Sequence, residues 1–404
     1  MYDNIICGID VGSNTLKMAI GEIKDDNQIE LVGLLEENSE GFSVGTVVNV
    51  EKAVESIIKI NEKAEKMIGK HIPDVFVGIS GGHIRNINSS GTIAIPNDRP
   101  INQDDVDLVL RHATTINIPP DLEILQIIPL SYKVNNNDGI KNPIGLSAEK
   151  LSVEVHIITG LINSVQNILN CFKKAGLNVI NFIINPFAAS ISLLTEDEKN
   201  RGVIIIDIGD KTSNIVIYTH GGLKHIQLLA LGGYHITKDI SNVLKIHFTQ
   251  AEHLKLKYGN AFVDEISDKD TIEVPLLNEN ETRLFYYKDF CNIINARVIE
   301  IFELLKKIVD DTKLINLIYG GIVLTGGASQ MKGMIPVCES VFGLPARLGV
   351  PKIKNNSSFS VTPKFSSAIG LILYGYELIL KENDDISFFD KIIEKMKSFI
   401  SNFY

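Results

Sequence analysis

The chain has 404 residues, with 39 Lys and Arg against 49 Asp and Glu for a formal charge of -10. Hydrophobic residues make up 45% and charged residues 22%, the usage of a folded globular protein, which excludes a collagenous, mucin-like or largely disordered chain. The acidic balance argues against an extended nucleic-acid footprint, so no nucleic-acid partner is predicted.

The first apolar stretch, from Asn4 to Val11, runs into Gly12-Ser13-Asn14-Thr15 and then a second one, Leu16 to Glu22. This predicts a β-hairpin with a small polar tip. Residues 50–69 place Val54, Ile57, Ile58, Ala64, Met67 and Ile68 at helical spacing, and residues 74–80 read as a strand. Strands alternating with helices predict an α/β fold. From 82 to about 160 the pattern changes to short strands and one helix, with a helix start at Asn102-Gln103-Asp104-Asp105 and a break at Pro119-Pro120. An inserted unit is predicted there.

Residues 164–175 read as a helix ended by Gly176, after which the opening theme returns as Val203-Ile204-Ile205-Ile206-Asp207-Ile208-Gly209-Asp210-Lys211-Thr212-Ser213-Asn214-Ile215. Two hairpins of form apolar-Asp-x-Gly-polar-Thr, about two hundred residues apart, predict two similar halves. The length allows two or three domains or one intertwined unit. Helices and short strands over about 237–313 precede Gly320-Gly321-Ile322-Val323-Leu324-Thr325-Gly326-Gly327-Ala328, a buried strand entering a Gly-Gly loop and a helix starting at Met331. The folded part is predicted to end near Glu377.

A tip of Gly, Ser, Asn and Thr exposes backbone N–H groups and hydroxyls, which suits a polyphosphate. Asp10 and Asp207, at the ends of their strands, are then placed to hold a hydrated magnesium ion. With the Gly326-Gly327 loop, three separated segments converge on one nucleotide.

These three elements resemble the actin-like ATPase superfamily, a duplicated, ribonuclease H-like two-domain fold around a nucleotide cleft. Within it the chain resembles the FtsA family of bacterial division proteins, through residues 139–147, Leu194-Thr195-Glu196-Asp197-Glu198, and residues 321–328. The resemblance implies halves at 1–81 with 163–200 (1A) and 201–236 with 314–377 (2A), an FtsA-type subdomain 1C at 82–162 and a subdomain 2B at 237–313. It implies ATP as ligand, with phosphates against Gly12, Ser13, Asn14 and Thr15 on one side and Gly209, Asp210, Lys211 and Thr212 on the other. Gly232 and Gly233 complete that side, and Gly326, Gly327, Ala328 and Met331 would hold the adenosine. Glu252 and Lys255 would lie over base and ribose; by themselves they read equally well as an exposed i,i+3 ion pair.

The second hairpin departs from the family's usual Asp-x-Gly-Gly-Gly-Thr, having Asp210-Lys211, and Asn214 stands where a further Asp is usual. The first hairpin has Thr15 where many relatives carry Lys. Asp210 beside a phosphate is repulsive, and Lys211 is placed to offset it. Weak or altered nucleotide binding with little turnover is expected, and no catalytic residue is assigned.

The tail carries a separate signal. Phe388, Phe389, Ile392, Ile393, Met396, Phe399, Ile400 and Phe403 recur at steps of three and four, with Lys391, Lys395 and Lys397 off that stripe and the polar stretch 378–387 as linker. This predicts an amphipathic helix over 388–404 lying in an anionic membrane interface. The FtsA resemblance implies the same, together with FtsZ as partner through its C-terminal peptide on 2B, other divisome proteins, and filaments formed through 1C. It places the chain peripherally on the cytoplasmic face of the membrane at the midcell septum. A PilM-like pilus scaffold and a small-molecule kinase of the same superfamily are the alternatives. Cys7, Cys171, Cys291 and Cys338 lack metal-ligand spacing and suit a reducing cytoplasm. His83, His112 and His156 form no metal pattern.

Overall fold

The computed structural model describes residues 4–25, 28–96, 99–275, 281–355 and 359–382. The tail helix expected over 388–404 lies outside the described residues.

The chain opens with β1 (Ile5–Val11), β2 (Thr15–Ile23) and β3 (Ile29–Asn38), an antiparallel meander, then a small hairpin of β4 (Phe42–Ser43) and β5 (Thr46–Val47). Helix α1 (Val50–Ile68) and β6 (Asp74–Ile79) follow, as the apolar spacing predicts. The inserted unit holds β7 (Ile84–Ala94), α2 (Gln103–Thr114), β8 (Leu122–Val134), β9 (Asn137–Ile140) and β10 (Lys150–Leu161). Three of its strands are long rather than short, because β7, β8 and β10 pair almost along their whole lengths and only one face packs on α2. The chain returns through α3 (Ile162–Lys174), β11 (Asn178–Ile184), α4 (Asn185–Leu193) and α5 (Glu196–Arg201).

The second half repeats the first: β12 (Val203–Ile208), β13 (Ser213–Thr219) and β14 (Gly222–Leu229), then α6 (Gly233–Leu244), α7 (Phe248–Tyr258), β15 (Thr271–Pro275), β16 (Thr282–Tyr286) and α8 (Tyr287–Thr312). It closes with β17 (Ile322–Thr325), α9 (Met334–Phe342), β18 (Ala346–Leu348) and α10 (Ser366–Glu382). One sheet runs β3-β2-β1-β6-β11 and the other β14-β13-β12-β17-β18, so each half is a three-strand meander extended by two parallel strands.

Both faces of these sheets are covered, which is why β12 reads as an unbroken apolar run. Val203 and Ile205 join the core shared with the first half and the base of the insert, while Ile204, Ile206 and Ile208 face α6, α8 and α9. The corresponding helices α4 and α10 cross each other at the junction of the halves. A Cβ at Gly370 would lie 1.8 Å from the carbonyl oxygen of Ala188, so the crossing admits no larger residue there. Helix α10 continues past the predicted end at Glu377, because Leu378 and Ile379 still pack on the core formed by Ile6, Phe76 and Leu371. The expected helix start at Met331 is instead a 3-10 turn over Ala328–Gln330, with α9 beginning at Met334.

The predicted start of α2 is a capping box. Asn102 Oδ1 accepts from Asp105 N and Asp105 Oδ2 accepts from Asn102 N, both at 3.0 Å, while Arg99 holds the same carboxylate. Asn102→Ala is therefore expected to cost about 1 kcal/mol. Hydrogen exchange should show about fivefold weaker protection of the α2 amides, with those of α1 unchanged.

Candidate nucleotide cleft

Each half brings a hairpin tip to the same gap. The tip between β1 and β2 is Gly12-Ser13-Asn14, and that between β12 and β13 is Gly209 to Thr212, closed by Gly209 N donating to Thr212 O at 2.9 Å. Between them opens a cleft of about 810 Å³, a size that suits a small organic ligand. Gly12, Ser13, Asn14, Thr15, Gly209, Asp210, Thr212, Gly233, Glu252, Lys255, Gly326, Gly327, Ala328 and Met331 line it together with Asp10 and Asp207. Of the residues expected from the sequence, Gly232 and Lys211 are not part of the lining. Gly232 lies behind Asp210, whose carbonyl is 2.6 Å from where its Cβ would be, and the Lys211 ammonium bonds Ser43.

Asp10 and Asp207 occupy equivalent places, each on the central strand of its sheet, two residues before a tip glycine. Asp10 is buried, and Asn185 Nδ2 donates to its Oδ1 at 2.7 Å while Lys17 Nζ stands 3.9 Å from Oδ2. Burial raises its pKa, against the pull of Lys17 and Asn185. Asp207 is pushed up to about 6, first by burial and then by the Asp10 carboxylate facing it. Asn214, its cross-strand partner, hydrogen-bonds it from β13. Two buried carboxylates facing each other across a cleft, one raising the pKa of the other, make a place for a cation.

The side-chain oxygens Asn185 Oδ1 and Asn214 Oδ1 are buried without a partner, and both residues line the cleft. Their amide nitrogens hold the two acids, Asn185 on Asp10 and Asn214 on Asp207, and carboxylate oxygens fixed in this way fit a hydrated divalent ion. Gly326 has φ +88, and a Cβ on it would come 2.3 Å from Asp207 Oδ1, so only glycine lets the loop after β17 close on this carboxylate. At Gly327 an added Cβ would meet nothing within 4 Å, leaving bare backbone open to a flat ligand.

Glu252 and Lys255, on α7, are not an exposed pair. Lys255 is 8% exposed, and its Nζ lies 2.7 Å from Glu252 Oε2, 2.8 Å from Thr237 Oγ1 and 3.2 Å from the Gly233 carbonyl oxygen. Thr237 also donates to Glu252. Asp210 has a raised pKa, chiefly from burial and with Glu252 adding to it, while Lys255 opposes the shift more strongly than Lys211 does. The buried lysine, rather than its sequence neighbour, is thus the main counter-charge to this acid.

Lys17, Ser80 and Asn185 are site residues that the sequence reading missed. Asn185-Pro186 at the start of α4 could have signalled the last of them. Asn before a helix-starting Pro is ordinary capping chemistry, however, and nothing in it points to Asp10.

The duplicated sheets and the cleft between their paired hairpins define an actin-like two-half protein. In solved structures the fold is shared with a PilM-PilN type IV pilus biogenesis complex, with TM-score 0.68 and 16% identity over 92% of this chain and 98% of that one. It is shared too with MreB5 of Spiroplasma citri bound to ADP, at TM-score 0.58 and 12% identity over 95% and 99%. The family model described as cell division protein FtsA matches residues 204–370, and that of the SHS2 domain inserted in FtsA matches residues 81–159. Relatives named cell division protein FtsA include one from Pseudomonas aeruginosa, 35% identical over 95% of this chain and 91% of its own length. Another, from Borreliella burgdorferi, is 37% identical over 93% and 92%. The chain belongs to the FtsA family of cell division proteins.

Proposed function

We propose that the chain is an ATP-binding scaffold that ties a ring of the tubulin-like FtsZ to the membrane at the division site. The observation that carries the nucleotide part is the convergence of two hairpin tips and the bare Gly326-Gly327 loop on one cleft. The relation in fold to an MreB protein solved with ADP supports the same ligand class. Phosphates would lie against Gly12 to Thr15 and Gly209 to Thr212, and the nucleoside against Gly326 to Ala328 with Met331. Magnesium, when bound, would neutralise phosphate charge, held through water by Asp10 and Asp207 with Asn185 and Asn214 beside them. A ligand touching both halves stabilises their closed arrangement, so nucleotide acts here as a conformational clamp. Asp10 and Asp207 would both be engaged by the cation, which leaves neither of them as a general base.

Exposed apolar residues support the partner surfaces. Leu284 and Tyr286 stand 71% and 58% exposed on β16 in subdomain 2B, where the FtsZ C-terminal peptide would dock. Ile144 and Leu146 are exposed in the loop after β9 of the insert, which would contact the next copy in a filament. Among the described residues no helix is long and apolar enough to cross a membrane, so the attachment would be peripheral, through residues 388–404. The deciding experiment is recruitment of purified FtsZ to anionic vesicles by this chain. Recruitment that requires the tail and responds to ATP supports the reading, and vesicles left bare of FtsZ in the presence of bound chain would refute it.

A further inference from the structure

We infer that Lys211 is a positioning residue that latches the cleft shut by bonding the second phosphate loop to the β4–β5 hairpin of the opposite half. This rests on the nucleotide reading only for its effect on ligand release; the latch itself joins protein to protein. Lys211 Nζ donates to Ser43 Oγ at 3.1 Å, a contact between residues 168 positions apart. The same ammonium lies 5.5 Å from the centre of the Tyr234 ring at the start of α6, and Tyr234 leans on Phe248 with centroids 5.0 Å apart. Lys211 is thus held between a ring of its own half and a hydroxyl of the other, an arrangement an unbranched cation satisfies and a glycine cannot.

The acceptor is built rather than incidental. Phe42 is buried in the first half's core, and Thr46 Oγ1 donates to the Ser43 carbonyl oxygen at 2.8 Å, bracing the turn. Val44 has φ +49, a left-handed conformation that a β-branched residue adopts only under constraint. Gly45, φ +73, sits so close to Ser80 that a Cβ would come 1.7 Å from its carbonyl oxygen. Ser80 lines the cleft. Lys211 therefore connects the loop carrying Asp210, through a strained hairpin, to the opposite wall of the same cleft. Because the bond forms only when the halves approach, opening must break it, and a bound ligand leaves only after opening.

The test compares the full-length chain with Lys211→Met, Ser43→Ala, the double variant, and Lys211→Arg. The first readout is release of a fluorescent ATP analogue from the magnesium-loaded chain by stopped flow. Each single change should speed release several-fold, the double change should add little to either, and Lys211→Arg should restore much of the wild-type rate. The second readout needs no nucleotide: hydrogen exchange at 42–47 and 209–213 in the free chain should rise together in both single variants. Additive effects on release, or exchange that rises in only one of the two segments, would overturn the latch. If the wild-type chain takes up no ATP analogue, the nucleotide reading fails, while the exchange experiment still decides whether the latch exists.

Discussion

Asp210→Gly is expected to tighten binding of magnesium-ATP about tenfold, or about 1.4 kcal/mol. Asp210 lines the cleft at the tip that would cradle phosphate, and its raised pKa reports a carboxylate already short of solvent. Like charges a few ångströms apart near a protein surface repel by about 1–4 kcal/mol, and Lys255 recovers part of that. Asp210→Asn keeps the shape and removes the charge, so it should give most of the gain if repulsion is the cause. The companion Asn214→Asp moves a carboxylate back to β13, beside Asp207, where a cation can use it. Combined with Asp210→Gly it should raise the dependence of binding on magnesium. Calorimetric titration of these variants beside the wild-type chain reads these effects directly. An Asp210→Gly affinity equal to wild type would show that the loop holds phosphate elsewhere.

How far the site was legible follows from where its residues sit in the chain. Asp10 and Asp207 were visible because each lies in a short pattern, strand-Asp-x-Gly, that occurs twice, and repetition separates a motif from turn chemistry. The Gly-Gly loop was visible because a buried apolar run ending in two glycines has few other uses. Asn185 and Lys17 were not, since each is a single polar residue whose partner, Asp10, is set by sheet pairing and by helix α4 rather than by spacing. The burial of Lys255 was equally hidden: at i,i+3 from Glu252 it looks like a surface pair until α6 covers it with Thr237 and Gly233. The length of the insert's strands escaped notice because their solvent face alternates Ser, Asn and Thr, as in β7, and a run of small polar residues reads as loop. Lys211 was placed correctly in sequence and wrongly in space, because a side chain at a hairpin tip can turn to either side and only the neighbouring hairpin decides which.

Removing residues 383–404 is expected to abolish sedimentation with anionic vesicles while leaving nucleotide affinity unchanged. Helix α10 begins at the cleft, where Ser366 and Ser367 are part of the lining, and passes Gly78 and then Phe76 on its way down β6. Its 17 residues carry the chain about 25 Å from the ligand, to the end of the sheet opposite the hairpin tips. The last described residue thus lies at the end of the sheet away from the cleft, and the two functions are expected to separate. In the proposed membrane helix the apolar stripe and the lysines would have different tasks. Phe389→Glu with Phe399→Glu places charge on the stripe and should release the chain from any vesicle. Lys391, Lys395 and Lys397 changed together to Gln should remove about 1 kcal/mol each, roughly a hundredfold in all, and only on vesicles containing anionic lipid. With a net charge of -10 on the whole chain, such a surface would repel the protein, so a membrane-bound tail would have to hold against that repulsion and added salt should weaken the lysine share first. Vesicle binding that survives both the deletion and the Phe changes would place the membrane contact on the folded body instead.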